Sequence, residues 1–274
     1  MKQGQKGSYP LLLVHGYGAR DQSFLKYWGR LPEFYQENGF DCYLSHHDGH
    51  GTATNNARQI AERIMEICPE AGDKVNIIAH SKGGLDSREM LALPGMADKV
   101  ASLTTLGTPH HGIDIIDKLG RLPHPIKHGT LTINDWFAGL VGDDAPQSRL
   151  ALADMSTEAC AKRNRELSLP ENVYFRAIGS EVESLGSCLD LTISFNIYKL
   201  SETISDGLVP LESTLWGPRH EIWRAAEGTG VTHHDLCDFH RRDIQIIRST
   251  EADKTYSTLE LFLKLATELK ELGY

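Results

Sequence analysis

The segment Lys74-Val75-Asn76-Ile77-Ile78-Ala79-His80-Ser81-Lys82-Gly83-Gly84 runs an apolar strand straight into a tight His-Ser-x-Gly-Gly turn, with a helix-forming stretch beyond it. The order strand, serine, glycine, helix lifts one hydroxyl above the edge of a sheet. Small residues at Ala79 and Gly83 are required there, because a larger side chain would collide across the turn. Similar pentapeptides arise by chance; the strand before and the helix after give this one its weight. A serine hydroxyl is a weak nucleophile on its own, so the turn predicts a histidine base and a carboxylate elsewhere in the chain.

The surrounding pattern supplies a fold for such a turn. Tyr9 to Val14 reads as a central strand, too uniformly apolar for an edge. Phe24 to Asn38 reads as a helix ended by Gly39, with Pro32 expected to kink or split it, and Phe40 to Leu44 as a second strand. Thr54 to Cys68 is a helix closed by Pro69, Val75 to Ala79 the elbow strand, Gly84 to Leu93 its helix, and Val100 to Leu106 the next strand. This alternation implies βαβ crossovers and an α/β fold with a mostly parallel sheet covered by helices on both faces.

From Gly112 to about Leu169 the rhythm stops in a segment rich in Pro, Gly and Asp, read as an insertion above the sheet. Within it Ile133, Trp136, Phe137, Leu140 and Val141 follow helical spacing, a short amphipathic helix that either covers an acyl groove or belongs to an ordinary core. Val173 to Ile178 resumes as a strand. Tyr256 to Leu272 closes the chain as a helix, with Leu259, Phe262, Leu263, Ala266 and Leu269 as its buried face and Lys264, Glu268 and Glu271 pointing away. The expected organisation is one domain over 1–274, with 112–169 as a lid or cap within it.

Composition closes off other classes. The longest early apolar run, Pro10-Leu11-Leu12-Leu13-Val14, is too short for a bilayer span or a signal-peptide core. The chain is therefore expected to be cytoplasmic, or a mature secreted form without its leader. A net charge of -9 with no basic block argues against nucleic acid or anionic membranes as main partners. The 5 cysteines, Cys42, Cys68, Cys160, Cys188 and Cys237, form no C-x-x-C and read as buried thiols. His46-His47-Asp48-Gly49-His50 invites a metal reading, but it lacks a helical His pair or partner cysteines and reads better as polar loop near the site rim.

Three segments fall where the Ser81 turn needs them. His15-Gly16-Tyr17-Gly18 follows the first strand, so the backbone N–H of Tyr17, with that of Lys82 at the start of the following helix, can hold an oxyanion; their side chains would only shape the pocket. Ser205-Asp206-Gly207-Leu208-Val209 offers an acid in a turn, and Thr232-His233-His234-Asp235 offers the imidazole, on His233 or His234. The chain order serine, aspartate, histidine is that of α/β-hydrolases.

Taken together, Val14-His15-Gly16-Tyr17-Gly18, the Val75–Gly84 elbow, Gly107-Thr108-Pro109-His110-His111-Gly112, Asp206-Gly207-Leu208-Val209 and His233-His234-Asp235 resemble the bacterial family I true lipases of the Pseudomonas, Burkholderia and Proteus kind. The resemblance implies an α/β-hydrolase fold and a serine ester hydrolase acting on acylglycerols or related lipid esters. It places the triad on Ser81, Asp206 and His233, the histidine two residues before an aspartate. It also implies a structural calcium held by Asp190, in a Leu-Asp pair, and by Asp235, with no cofactor for the chemistry itself. Departures are Ala79 in place of the first elbow glycine and a shortened insertion, which weakens the expectation of strong interfacial activation. Trp136, Phe137, Leu140 and Val141 would contact the acyl chain. The expected partner is a lipid or small-molecule ester, with contact at a lipid interface but no stable membrane insertion. The rival expectations are a carboxylesterase for short soluble esters, extending to polyesters, and a binding protein that kept the fold without the chemistry.

Overall fold

Alternation along the strands decides where the core lies. In the computed structural model, which describes residues 8–18, 26–69, 73–120, 147–184 and 191–274, successive side chains of each central strand point to opposite faces of one sheet. Leu11 and Leu13 of β1 (Leu11–Val14), Ile78 of β3 (Val75–His80), Leu106 of β4 (Val100–Leu106) and Ile178 of β5 (Tyr174–Ser180) meet Leu31 and Tyr35 of α1 (Leu31–Glu37) and Phe262 of the last helix. Leu12, Val14, Ile77, Ala79, Leu103 and Phe175 face the other way, onto Ile60 and Ile64 of α2 (Ala53–Ile67) and Met90 of α3 (Lys82–Leu91). Each layer is apolar because neither face of a strand reaches water, which is why these strands read as unbroken apolar runs.

With β2 (Cys42–Leu44), β6 (His220–Ala225), β7 (Gln245–Arg248) and β8 (Glu251–Ser257), the sheet has 8 strands in the order β2-β1-β3-β4-β5-β6-β7-β8. The pairs from β2 to β6 are parallel; β7 and β8 add on antiparallel. The carboxyl ends of the parallel strands therefore share one edge, where open α/β sheets hold their ligands.

The insertion contributes α4 (Asp114–Gly120), α5 (Ser148–Ala153) and α6 (Thr157–Glu166) among the described residues. The stripe of Ile133, Trp136, Phe137, Leu140 and Val141 lies outside them. Beyond β5 come α7 (Thr192–Leu200) and the one-turn α8 (Leu211–Thr214).

Three expectations are corrected. Pro32 does not break a helix: it occupies the first turn of α1, where its missing N–H is not needed. The closing segment is strand β8 followed by α9 (Thr258–Glu271), whose buried face includes Leu261 and Leu265, while Leu259 and Leu263 are only partly buried. Nor does Glu268 point away. It receives Arg176 Nη1 at 2.7 Å and pairs with Arg248. Burial pushes its carboxyl up, but these guanidinium hydrogen bonds win and hold it down to about 2.

Candidate active site

Ser81 sits between β3 and α3 with φ 55° and ψ -131°, a conformation costing a non-glycine residue about 1–3 kcal/mol. The neighbouring strand holds it there. Ser81 N–H donates to the Leu106 carbonyl at 2.9 Å, and Thr108 Oγ1 donates to the Ser81 carbonyl at 2.8 Å. A β-carbon on Gly83 would stand 2.3 Å from the His15 carbonyl oxygen, so the start of α3 packs directly on the loop after β1. The small residue that the motif demanded at Gly83 is thus a matter of backbone-to-backbone contact.

Asp206 and His233 come from two loops that the fold brings together. Asp206 lies in a turn whose Leu208 and Val209 amides donate to Oδ1 at 2.9 and 2.7 Å, an Asx arrangement that fixes the carboxylate. Its Oδ2 accepts His233 Nδ1–H at 2.7 Å, and the His233 amide donates to the Asp206 carbonyl at 2.8 Å. Both side chains are buried. Of the two candidate histidines, His233 faces the carboxylate; the His234 ring packs against Phe239 and His240.

The loop after β1 is braced on every side. The His15 ring lies between the carbonyl oxygens of Gly16 and His47, with Nδ1 2.9 Å and Nε2 3.0 Å away, and stacks on the His47 ring at 3.8 Å. Gly16 N–H donates to Tyr27 Oη and Gly18 N–H to the Gly49 carbonyl, both at 2.9 Å. Tyr17 meets the His50 ring edge-on. The His46–His50 run therefore packs on the Tyr17 loop. Among the described residues no group of three or more His, Cys, Asp or Glu side chains is placed to hold a metal ion. The Lys82 N–H opens α3, one of the amides that a helix leaves without an internal acceptor. The Lys82 side chain does not shape a pocket: buried, it donates to Asp86 at 2.6 Å, and Asn56 donates to the same carboxylate at 2.7 Å.

Two buried histidines set a pH limit. Burial, reinforced by the nearby His233, pushes His80 well below the ordinary 6.5, and burial with the adjoining Arg88 does the same to His110. Both are neutral in the fold but gain a proton in the unfolded chain below about pH 6.5, so the unfolded state binds more protons and stability falls as pH is lowered. The acid slope from the pair approaches about 3 kcal/mol per pH unit. Thermal melts from pH 8 to pH 5 should be flat above pH 7 and fall steeply below pH 6.5; an unchanged midpoint at pH 5.5 would show that these rings are not held neutral.

Asp235 is already balanced by a cation of the chain. Its Oδ2 accepts from the Thr232 amide at 2.9 Å, Thr232 Oγ1 at 2.7 Å and Arg242 Nη1 at 3.0 Å, while Oδ1 is buried without a hydrogen bond. Asp190, and with it Trp136, Phe137, Leu140 and Val141, lies outside the described residues. The described cysteines Cys42, Cys68, Cys160 and Cys237 are buried free thiols.

Leu85 of α3 forms an apolar cluster with Ile113, Met155, Cys160 and Val209, edged by Tyr17, Ile115, Ile116, Leu152 and Leu208. Tyr27 and Arg242 also build the site without having been singled out from sequence, where Thr108 entered only as part of the Gly107–Gly112 segment. Each acts on a residue far along the chain or through a backbone atom, and neither leaves a local pattern to read.

A sequence model described as the alpha/beta hydrolase fold matches residues 9–183. A stretch of 115 residues is 33% identical to a triacylglycerol lipase of Pseudarthrobacter phenanthrenivorans, covering 40% of this chain and 35% of that protein. The matched chain thus spans about a third of that relative's length. Over 266 residues it is 32% identical to triacylglycerol lipase 2 of Saccharomyces cerevisiae, covering 91% of this chain and 75% of the yeast protein. The Staphylococcus hyicus lipase structure superposes with a TM-score of 0.68 at 15% identity, over 98% of this chain and 96% of that one.

Proposed function

We propose that this chain, which belongs to the alpha/beta hydrolase family, is a serine carboxylic-ester hydrolase of lipase type that cleaves acylglycerols through an acyl-enzyme on Ser81. The observations that support the reading are the buried 2.7 Å His233–Asp206 pair and a serine held at φ 55° whose chain neighbour His80 lies 2.9 Å from the His233 carbonyl oxygen. His233 takes the Ser81 proton as the hydroxyl attacks the ester carbonyl, and the N–H groups of Tyr17 and Lys82 receive the oxyanion. The protonated imidazole then gives its proton to the departing alcohol. Water repeats the cycle on the acyl-enzyme, while Asp206 keeps the imidazole in one tautomer and stabilises its cation. The triacylglycerol lipase relatives favour a lipid acyl chain over a small polar one. The described parts of the 112–169 segment supply Ile113, Met155 and Cys160 to the apolar cluster around Leu85.

A chain-length series of p-nitrophenyl esters, with emulsified triolein, tests the substrate. Turnover should extend to long acyl chains and to triolein. Activity confined to acetate and butyrate esters would make the chain a carboxylesterase for short soluble esters instead.

Calcium is not needed to hold the His233 loop on this reading, because the Arg242 guanidinium supplies the positive charge at Asp235. EDTA should leave both activity and melting temperature unchanged. A drop in either that added CaCl2 restores would return Asp235 to the role of calcium ligand.

A further inference from the structure

We propose that Tyr27 and His80 are positioning residues that tie the Tyr17 loop to the loop carrying His233, holding the oxyanion donor and the base in one register. The inference rests on the Ser81–His233 reading above. Tyr27 Oη accepts Gly16 N–H at 2.9 Å and lies 2.6 Å from His80 Nδ1; His80 Nε2 lies 2.9 Å from the His233 carbonyl oxygen. The direction of every bond follows. A carbonyl only accepts, so His80 carries its proton on Nε2 and donates it to His233. Nδ1 must then accept, and the Tyr27 hydroxyl donates to it while its lone pair takes the Gly16 amide.

The run is sealed from water: Tyr27 is 6%, His80 1% and His233 2% exposed. A lost partner would not be replaced by solvent. Burial keeps His80 neutral, which preserves the tautomer the run requires. Contact is also direct at the first end. A β-carbon on Gly16 would stand 2.7 Å from Tyr27 Oη and 2.8 Å from Ser81 Cβ, so the loop rests on both the hydroxyl and the nucleophile.

The placement of the two ends gives the run a bearing on the chemistry beyond packing. One end is the residue immediately before Tyr17, whose N–H receives the oxyanion. The other is the backbone of His233, whose ring is held from the opposite side by Asp206 at 2.7 Å. Asp206 sets the rotation of the imidazole, and the His80 bond sets the backbone from which it hangs. The His80 and His233 rings also touch, at 4.5 Å between centroids.

Tyr27→Phe, His80→Leu and His80→Gln test this, with rates normalised to Ser81 sites titrated by a fluorophosphonate. Tyr27→Phe should lower kcat about tenfold with KM within about twofold, and His80→Leu should lower it by up to about a hundredfold. His80→Gln, whose amide N–H can serve the His233 carbonyl, should recover most of the His80→Leu loss. Because both act through one run, the Tyr27→Phe/His80→Leu double variant should lose clearly less than the product of the single losses. A native kcat per titrated site in Tyr27→Phe, multiplicative losses in the double variant, or no recovery in His80→Gln overturns the proposal. Failure of the fluorophosphonate to label Ser81 in the unaltered protein is a separate result, and it overturns the function reading itself.

Discussion

Replacing Ser81 by alanine should lower kcat for a p-nitrophenyl ester by about 10⁵- to 10⁶-fold, leaving only the catalysis that the oxyanion donors and binding supply over water. The magnitude follows from the covalent route. On the proposed mechanism no acyl-enzyme forms without the hydroxyl, and water would have to attack in its place. The fold should survive, because the bonds that fix the elbow, from Ser81 N–H to Leu106 and from Thr108 to the Ser81 carbonyl, use backbone atoms that alanine keeps. Circular dichroism and a thermal melt close to those of the native chain would show that the lost rate is chemical. Retention of even a hundredth of the native rate would remove Ser81 from the centre of the mechanism.

His233→Ala should cost a comparable factor, about 10⁵-fold or more, because in the proposed mechanism the serine loses its base and the leaving alcohol its acid in one change. Asp206→Asn should cost about 10⁴-fold. The asparagine keeps the size of the side chain, yet its amide can present N–H to the ring and favour the wrong tautomer. His234→Ala is the discriminating companion. Its ring faces Phe239 and His240 while Asp206 Oδ2 is taken by His233, so its loss should change kcat by no more than severalfold. Steady-state rates of the three variants decide the assignment: a larger loss in His234→Ala than in His233→Ala would exchange the two histidines.

Much of the fold could be read from the chain, for a physical reason. Strands buried on both faces must be apolar throughout, and β1, β3 and β4 were legible because nothing else explains runs such as Leu11–Val14 and Val75–Ala79. The elbow was legible because its φ of 55° and the 2.3 Å approach at Gly83 leave the sequence little choice there. Edge strands lack this constraint. β8, Glu-Ala-Asp-Lys-Thr-Tyr-Ser, is largely exposed and shows no apolar alternation, so its place was read as loop and helix. The start of α9 did leave a signal: Ser257 and Glu260 form a capping box, with the Ser257 amide donating to Glu260 at 2.9 Å.

Within the candidate site, residues inside contiguous motifs were legible as candidates, and those that meet only across the fold were not. Asp206 and His233 stand in recognisable turns. Tyr27 reaches His80 across 53 positions, and Arg242 matters only because the chain folds it onto Asp235. The His46–His50 run shows the opposite hazard. Its composition suggests ligands, yet His47 stacks on His15 and His50 meets Tyr17, which makes it a wall behind the loop after β1.

The most direct measurement of the central claim is the intact mass of the chain after incubation with an alkyl fluorophosphonate, followed by peptide mapping. A serine activated as proposed should take one phosphonyl group per chain, on the peptide containing Ser81, with esterase activity lost in proportion to the adduct. An unmodified mass, or an adduct on another residue with Ser81 left free, would contradict the account.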